Sequence, residues 1–297
     1  MTSRLLPRMT VAVACLTVVA ACSTAPDPGG SPASTPAPAP TTPAPTTASP
    51  SSGRLDAELR QSSLDAARGQ MQVWIHNDTG ADVEPTDIRL RDPRLGRPVP
   101  GERLRGIPAG SQRGYPLRLP TEPDCAAPDR PGRLVVHDAS GRLAVRLTDP
   151  HDIIGRHTRS RCLEVAVTRV AELRWADRVR RHGSGPDATA DLVLVVEPSN
   201  GSGRFTLDEV NGTPVFTPVD GASWLPDRVV DAADGPVRVE LPMKPARCDP
   251  HVFQESAGAT AFRLHVTIDG ESGSFVLRMS DRGARDALDF AVTTCGL

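Results

Sequence analysis

The sequence predicts a mainly β protein. It should hold two tandem β-sandwich domains, each closed by a short terminal helix, behind a leader and a long low-complexity segment. Three observations predict this. Short runs rich in Val, Ile, Leu and Thr alternate with polar residues and are broken by Gly, Asn, Asp and Ser turns. Two segments repeat one another in order and spacing. Four of the six cysteines fall two to a copy.

The N-terminus has the three parts of an export signal. Arg4 and Arg8 give a positive start, Met9 to Ala21 form an uncharged apolar stretch, and Val19-Ala20-Ala21 supplies small residues before Cys22. The apolar stretch is short of the roughly 20 residues that a membrane-crossing helix needs. A cysteine directly after the small residues is what an ordinary secretory signal would not require. Val19-Ala20-Ala21-Cys22 resembles the lipobox of bacterial lipoproteins. The resemblance implies a signal peptide over 1–21, cleavage before Cys22, and a diacylglyceryl thioether with added fatty acid (palmitate-type acylation) on that residue. It also implies anchorage to the cell membrane at its extracytoplasmic face, since two or more acyl chains hold stably where one is marginal. Basic residues are almost all arginine, with Lys244 the one lysine. Together with abundant Ala, Pro and Gly, this composition resembles that of actinobacterial proteins.

Residues 22–53 comprise Cys22 and a stretch of Pro, Thr, Ala, Ser and Gly in which Asp27 is the one charge. With no large apolar side chain to bury, this stretch is expected to be a disordered tether. It would reach on the order of 30 to 90 Å between its flexible and extended limits.

Residues 54–163 and 164–297 are expected to be the two domains. "LRLPTEPDCAAP" (117–128) and "VELPMKPARCDP" (239–250) share Leu-Pro, a second Pro, a Cys and a following Pro. "VRLTD" (145–149) then matches "LRMSD" (277–281), and a cysteine follows at similar distance in each, Cys162 and Cys295. Export places the cysteines in an oxidising compartment, where an even count reads as disulfides. Of three connectivities, one respects the repeat: Cys125 with Cys162 and Cys248 with Cys295. Loops of that size imply about 4 kcal/mol each in the chain-entropy view. A four-cysteine metal site would call for CxxC spacing, which is absent.

In the first copy, strands are expected at 71–80 and 87–95, with a hairpin over 133–147 around Asp138-Ala139-Ser140-Gly141. In the second, 190–210 should turn at Asn200-Gly201 and 262–279 at Asp269-Gly270. Terminal helices are expected at 149–161 and 281–294, with Asp149 and Asp281 as their caps and Pro150 in the first helical position. "LEVAVTRVAELRWADRVRR" (163–181) reads as a strand running into a helix or as two strands, and is taken as the opening strands of copy two. The whole is similar to immunoglobulin-like sandwiches in architecture, and the head resembles tandem immunoglobulin-like lipoprotein domains.

Candidate chemistry is thin. "DPHDIIGRH" (149–157) gathers two histidines and two aspartates, but His151 and His157 would face different sides of a helix, and copy two has no histidine there. Asp208-Glu209 would point to opposite faces of a strand. "GESGS" (270–274) lacks the last Gly of a nucleophile elbow, and phosphate-loop, HExxH and dinucleotide patterns are absent. No catalytic residue, cofactor or metal site is expected, and the chain is not expected to be an enzyme. Without Arg4 and Arg8 the charged residues number 32 basic against 36 acidic, with no basic stripe among aromatics, so nucleic-acid binding is not expected. An aromatic content of 3% disfavours carbohydrate stacking. The expected function is non-catalytic binding or scaffolding in the cell envelope, toward an envelope protein or the cell wall. The alternatives are a substrate-binding lipoprotein of an importer, which would call for alternating strands and helices in two α/β lobes, and an envelope hydrolase.

Overall fold

The computed structural model describes residues 53–255 and 258–297. Cys22, the leader (1–21) and the tether as far as residue 52 lie outside the described residues. The first sandwich comprises β1 (Arg54–Arg60), α1 (Ser63–Ala67), β2 (Gln70–Asp78), β3 (Asp87–Arg91), a 3-10 turn (Pro93–Leu95), β4 (Val99–Pro100), β5 (Gln112–Arg118), β6 (Arg133–Asp138), β7 (Gly141–Leu143) and β8 (Val145–Thr148). Its sheets run β5-β2-β1-β8 and β4-β3-β6-β7. Alternation explains the layering: Leu55, Ala57 and Leu59 of β1 and Met71, Val73 and Ile75 of β2 are buried, and they meet Ile88, Leu90, Leu134 and Val136 of the other sheet in one apolar core. Tyr115 of β5 is fully buried, and its hydroxyl donates to the Arg105 carbonyl at 2.5 Å.

α2 (Ile153–Val170) follows and leads without a linker into β9 (Ala171–Trp175). The second sandwich continues with β10 (Arg180–His182), β11 (Thr189–Pro198), β12 (Arg204–Asn211), β13 (Phe216–Pro218), β14 (Ser223–Trp224), β15 (Arg228–Asp231), β16 (Val237–Pro245), α3 (Pro250–Glu255), β17 (Ala261–Ile268), β18 (Glu271–Arg278) and α4 (Asp281–Cys295). One sheet runs β10-β11-β16-β13 with β9 also on β11; the other runs β14-β12-β17-β18 with β15 also on β12. Phe262 centres this core, with its ring 5.0 Å from Trp175, 6.2 Å from Trp224 and 6.3 Å from Phe216. The buried indoles are satisfied at their edges: Trp175 Nε1 donates to the Leu277 carbonyl and Trp224 Nε1 to that of Pro242.

The protein is therefore mainly β, with two tandem sandwiches that repeat one pairing order. β5-β2-β1 corresponds to β16-β11-β9, and β4-β3-β6-β7 to β14-β12-β17-β18. The copies part where β7 ends: the chain steps at Ala144 into the opposite sheet, and β8 pairs parallel with β1, whereas β18 runs on unbroken beside β17.

Several local expectations are corrected. Residues 164–170 are helical, so α2 covers 153–170 and the expected 163/164 boundary falls inside it. "EVAVTRV" alternates like a strand, but tertiary packing overrides the pattern: Val167 and Val170, three apart on the helix, share the second core. β11 and β12 do not form a hairpin across Asn200-Gly201, because β11 is already paired with β9, β10 and β16. Asp149 does cap α2, accepting from Ile153 and Ile154, but from one turn upstream, so Pro150 precedes the helix. Ser280, rather than Asp281, caps α4 through Gly283. The hairpin at Asp269-Gly270 forms, both residues having positive φ as a two-residue loop requires.

Burial pushes the Tyr115 phenol up to about 12. It is the one tyrosine of the chain, so absorbance at phenolate wavelengths reads it alone. The raised value means that the folded state holds its proton while the unfolded chain loses it near 10. Stability is therefore fully present below pH 10 and lost as pH rises toward 12. Titration of the native protein should show little phenolate at pH 10.5, and the same protein in denaturant should show it largely ionised; coincident curves would contradict the buried hydrogen bond.

Candidate functional site

The place where the two sandwiches are joined is built on α2. Eighteen residues make a helix of about 27 Å. Its first turn buries Ile153 and Ile154 in the first core, and its last turn buries Val167 and Val170 in the second. One face is tied to the loop after β5 at three successive points. His157 Nε2 donates to the Pro120 carbonyl at 2.8 Å, Arg161 Nε to that of Thr121 at 2.9 Å, and Cys162 is bonded to Cys125. Arg161 also pairs with Glu164 along the helix. At the far end, Ser199 from the β11–β12 connection donates its hydroxyl to the Arg169 carbonyl at 2.6 Å and its amide to that of Val170 at 3.0 Å. The first domain thus caps the start of α2 and the second domain its end.

The second domain meets the helix through β18. A Cβ placed on Gly273 would stand 2.8 Å from Leu163 Cδ2, so the absence of a side chain there admits the helix. Arg278 adds a bond from β18 to the Ala67 carbonyl of the first sandwich at 3.0 Å. Between α2 and the β17–β18 hairpin lies a cleft of 570 Å³ with an apolar floor of Leu163, Ala166 and Ile268 and a charged rim including Arg156, Arg159 and Arg263. Arg159 is paired with Asp152 at 2.6 Å, and Arg263 donates to Ser274 at 3.2 Å. The arrangement can grip a surface with apolar and charged parts. Cys162 beside it is oxidised, and Ser272 is bonded to Thr267.

The second disulfide, Cys248–Cys295, repeats the first, joining the loop after β16 to α4 as Cys125–Cys162 joins the loop after β5 to α2. Their Cα separations are 5.2 and 5.6 Å. The two histidines of "DPHDIIGRH" are kept apart: His151 is exposed, and His157 is half-buried against Pro120. Among the described residues no group of three or more His, Cys, Asp or Glu gathers as for a metal ion. Asp208 and Glu209 flank a bulge in β12 at Leu207/Glu209 and have separate partners, Thr267 and Asn211. His265 bonds Asn211 at 2.8 Å. His182 lies 2.7 Å from the largely buried Asp191. Sequence reasoning missed the His182–Asp191 contact because it runs diagonally between β10 and β11. It also missed the capping role of Ser199, 29 residues beyond the helix end, for which the sequence carries no local signal.

No family model and no curated protein matches the chain. Solved structures that align with it include calcium binding domain CBD12 of CALX1.1, over 76% of this chain and 82% of that one, at 10% identity and a TM-score of 0.19. Red sea bream transglutaminase aligns over 77% of this chain and 31% of that one, at 15% identity and a TM-score of 0.22. A protein of unknown function from Porphyromonas gingivalis W83 aligns over 76% and 97%, at 14% identity and a TM-score of 0.18. At such scores these alignments carry nothing about ligand or chemistry.

Two outcomes follow from the helix. A fragment of residues 153–297 keeps α2 whole, whereas 164–297 begins inside it; the longer fragment should melt at higher temperature, and equal melting would show that the first half of α2 contributes nothing to the second sandwich. Burial holds His157 below its ordinary value of 6.5, outweighing the Pro120 hydrogen bond. The unfolded chain therefore binds the proton more readily, and stability present above pH 6.5 is lost as pH falls through 6.5 toward the lowered value. His157→Gln should flatten the drop in melting temperature between pH 7.5 and 5.5, and an unchanged slope would remove His157 as its source.

Proposed function

We propose that this chain is a cell-envelope lipoprotein, held by lipid on Cys22 at the extracytoplasmic face of the cell membrane, and that its head serves a non-catalytic binding or scaffolding role. The observation that carries this reading is Val19-Ala20-Ala21-Cys22, closing an apolar stretch ahead of a head whose four cysteines are all in disulfides. The disulfides suit an oxidising compartment, and the Pro/Thr/Ala/Ser tether would set the head away from the membrane. A scaffold has to transmit position between its ends, and the linker-free passage from α2 to β9 supports that. The mainly β order of the described residues favours this role over an importer's receptor, whose two lobes would alternate strand and helix.

The test is made in intact cells on Cys22. Cys22→Ser should abolish incorporation of labelled fatty acid and shift the protein from the membrane fraction to an unprocessed or released form. Undiminished labelling of Cys22→Ser, or an unlabelled wild type, would refute the anchor.

A further inference from the structure

The first sandwich carries an arginine-lined cleft of 410 Å³ on the side away from its core, where β3 ends and β6 begins. Arg91 is the last residue of β3 and Arg133 the first of β6, and the two are direct partners in the antiparallel register. Arg97, from the loop before β4, and Arg130, from the loop before β6, line the same cleft. All four are exposed, and none makes an ion pair among the described residues. Like charges directly opposite across a strand pair are destabilising, so this grouping works against the fold.

Asp92, the acidic residue of the lining, is already committed. Asp92 is fully buried at its side chain and takes both arms of Arg94, Nε at 3.0 Å and Nη2 at 2.9 Å, besides the Arg94 amide. The other Arg94 nitrogen reaches Asp129 at 2.6 Å. Gly132 closes over this assembly, since a Cβ there would lie 2.7 Å from Asp92 Oδ2. Pro93, Pro98 and Pro131 stiffen the lining. The wall is thus pre-built by a closed Asp92–Arg94–Asp129 unit, and four further arginines line a positively charged hollow on a chain that is acidic overall.

We propose that this cleft is a binding site for phosphoryl-bearing anions. A guanidinium is a planar fork of donors, and a single fork already saturates the two oxygens of a carboxylate. Four forks around one hollow match a centre with more oxygens and more charge, which a phosphate monoester or diester supplies. The source is either a soluble phosphate polymer or a phospholipid headgroup, and the chemistry is common to both. The inference goes beyond the anchoring role and does not depend on it.

The full chain carrying Cys22→Ser, so that no acyl chain can insert into a bilayer, is titrated without detergent against inorganic polyphosphate, and separately against vesicles of phosphatidylglycerol and of phosphatidylcholine. Binding to polyphosphate, to phosphatidylglycerol vesicles, or to both is expected at low salt. Binding to the vesicles alone would identify the source as lipid, and to polyphosphate alone as a soluble polymer. Affinity should fall steeply with added salt. The pair Arg97→Gln and Arg130→Gln, both in exposed loops, should weaken binding at least tenfold and flatten the salt dependence, while Arg238→Gln in the second domain should leave both unchanged. The salt dependence of the unaltered chain tests the charge mechanism should the loop variants fold poorly. No binding to either probe, salt-independent binding, an unaltered affinity in the loop pair, or equal binding of polyglutamate would overturn the proposal.

Discussion

The head depends on one helix whose two ends are satisfied by different domains. The unpaired amides at the start of α2 go to Asp149 and the unpaired carbonyls at its end to Ser199, so neither sandwich completes the helix alone. The apolar side chains divide the same way, Ile153 and Ile154 to one core and Val167 and Val170 to the other. A helix with its apolar residues split between its ends has no single greasy stripe, which makes it a poor autonomous helix and a good coupler. The Cys125–Cys162 bond and the His157 and Arg161 contacts then fasten its middle to the first sandwich, leaving Leu163 free to seat on Gly273 of the second.

The two sandwiches share an arrangement of parts and differ in how they use them. Both copies pair their strands in the same order and staple a loop to the helix that follows. In the second copy that helix, α4, has 15 residues; in the first, α2 has 18 and becomes the junction. The aromatic weight is equally unequal, since the Phe262 cluster with Trp175 and Trp224 lies in the second core, while the first relies on aliphatic side chains and Tyr115. Size of apolar residue, rather than their pattern, distinguishes the cores.

Strands with clean alternation were legible in the sequence, β2, β3 and the β17–β18 hairpin among them, because burial on one face writes a period of two directly into the residues. The cysteine pairs were legible through the repeat. The C-terminal half of α2 was not, because β-branched residues at alternating positions spell a strand and only packing against β18 and β9 decides otherwise. The failed hairpin at Asn200 has the same origin: the turn chemistry is local, but β11 is already paired with β9 and β10 and with β16, whose partner residues lie 41 to 53 positions away. The arginine cleft was illegible for a related reason. Arg91, Arg97, Arg130 and Arg133 are scattered over the chain, and a composition with near-balanced charge hides a cluster that exists only once β3 and β6 have paired.

The parallel pairing of β1 with β8 bears on how the head would carry mechanical load. The chain enters β1 at Arg54, and β8 leaves toward α2 and the second sandwich. Tension between the upstream chain and anything held by the second sandwich pulls β1 from its first residue, while β8 is held from its last through α2, a load shared with the Cys125–Cys162 bond. Because the strands run in the same direction, with Leu55 beside Val145 and Glu58 beside Thr148, that tension slides one along the other. The bonds between them are strained together in shear instead of being unzipped singly. The step at Ala144 that moves β8 out of the β6–β7 hairpin thereby places a force-bearing clamp at the point where the upstream chain joins the head.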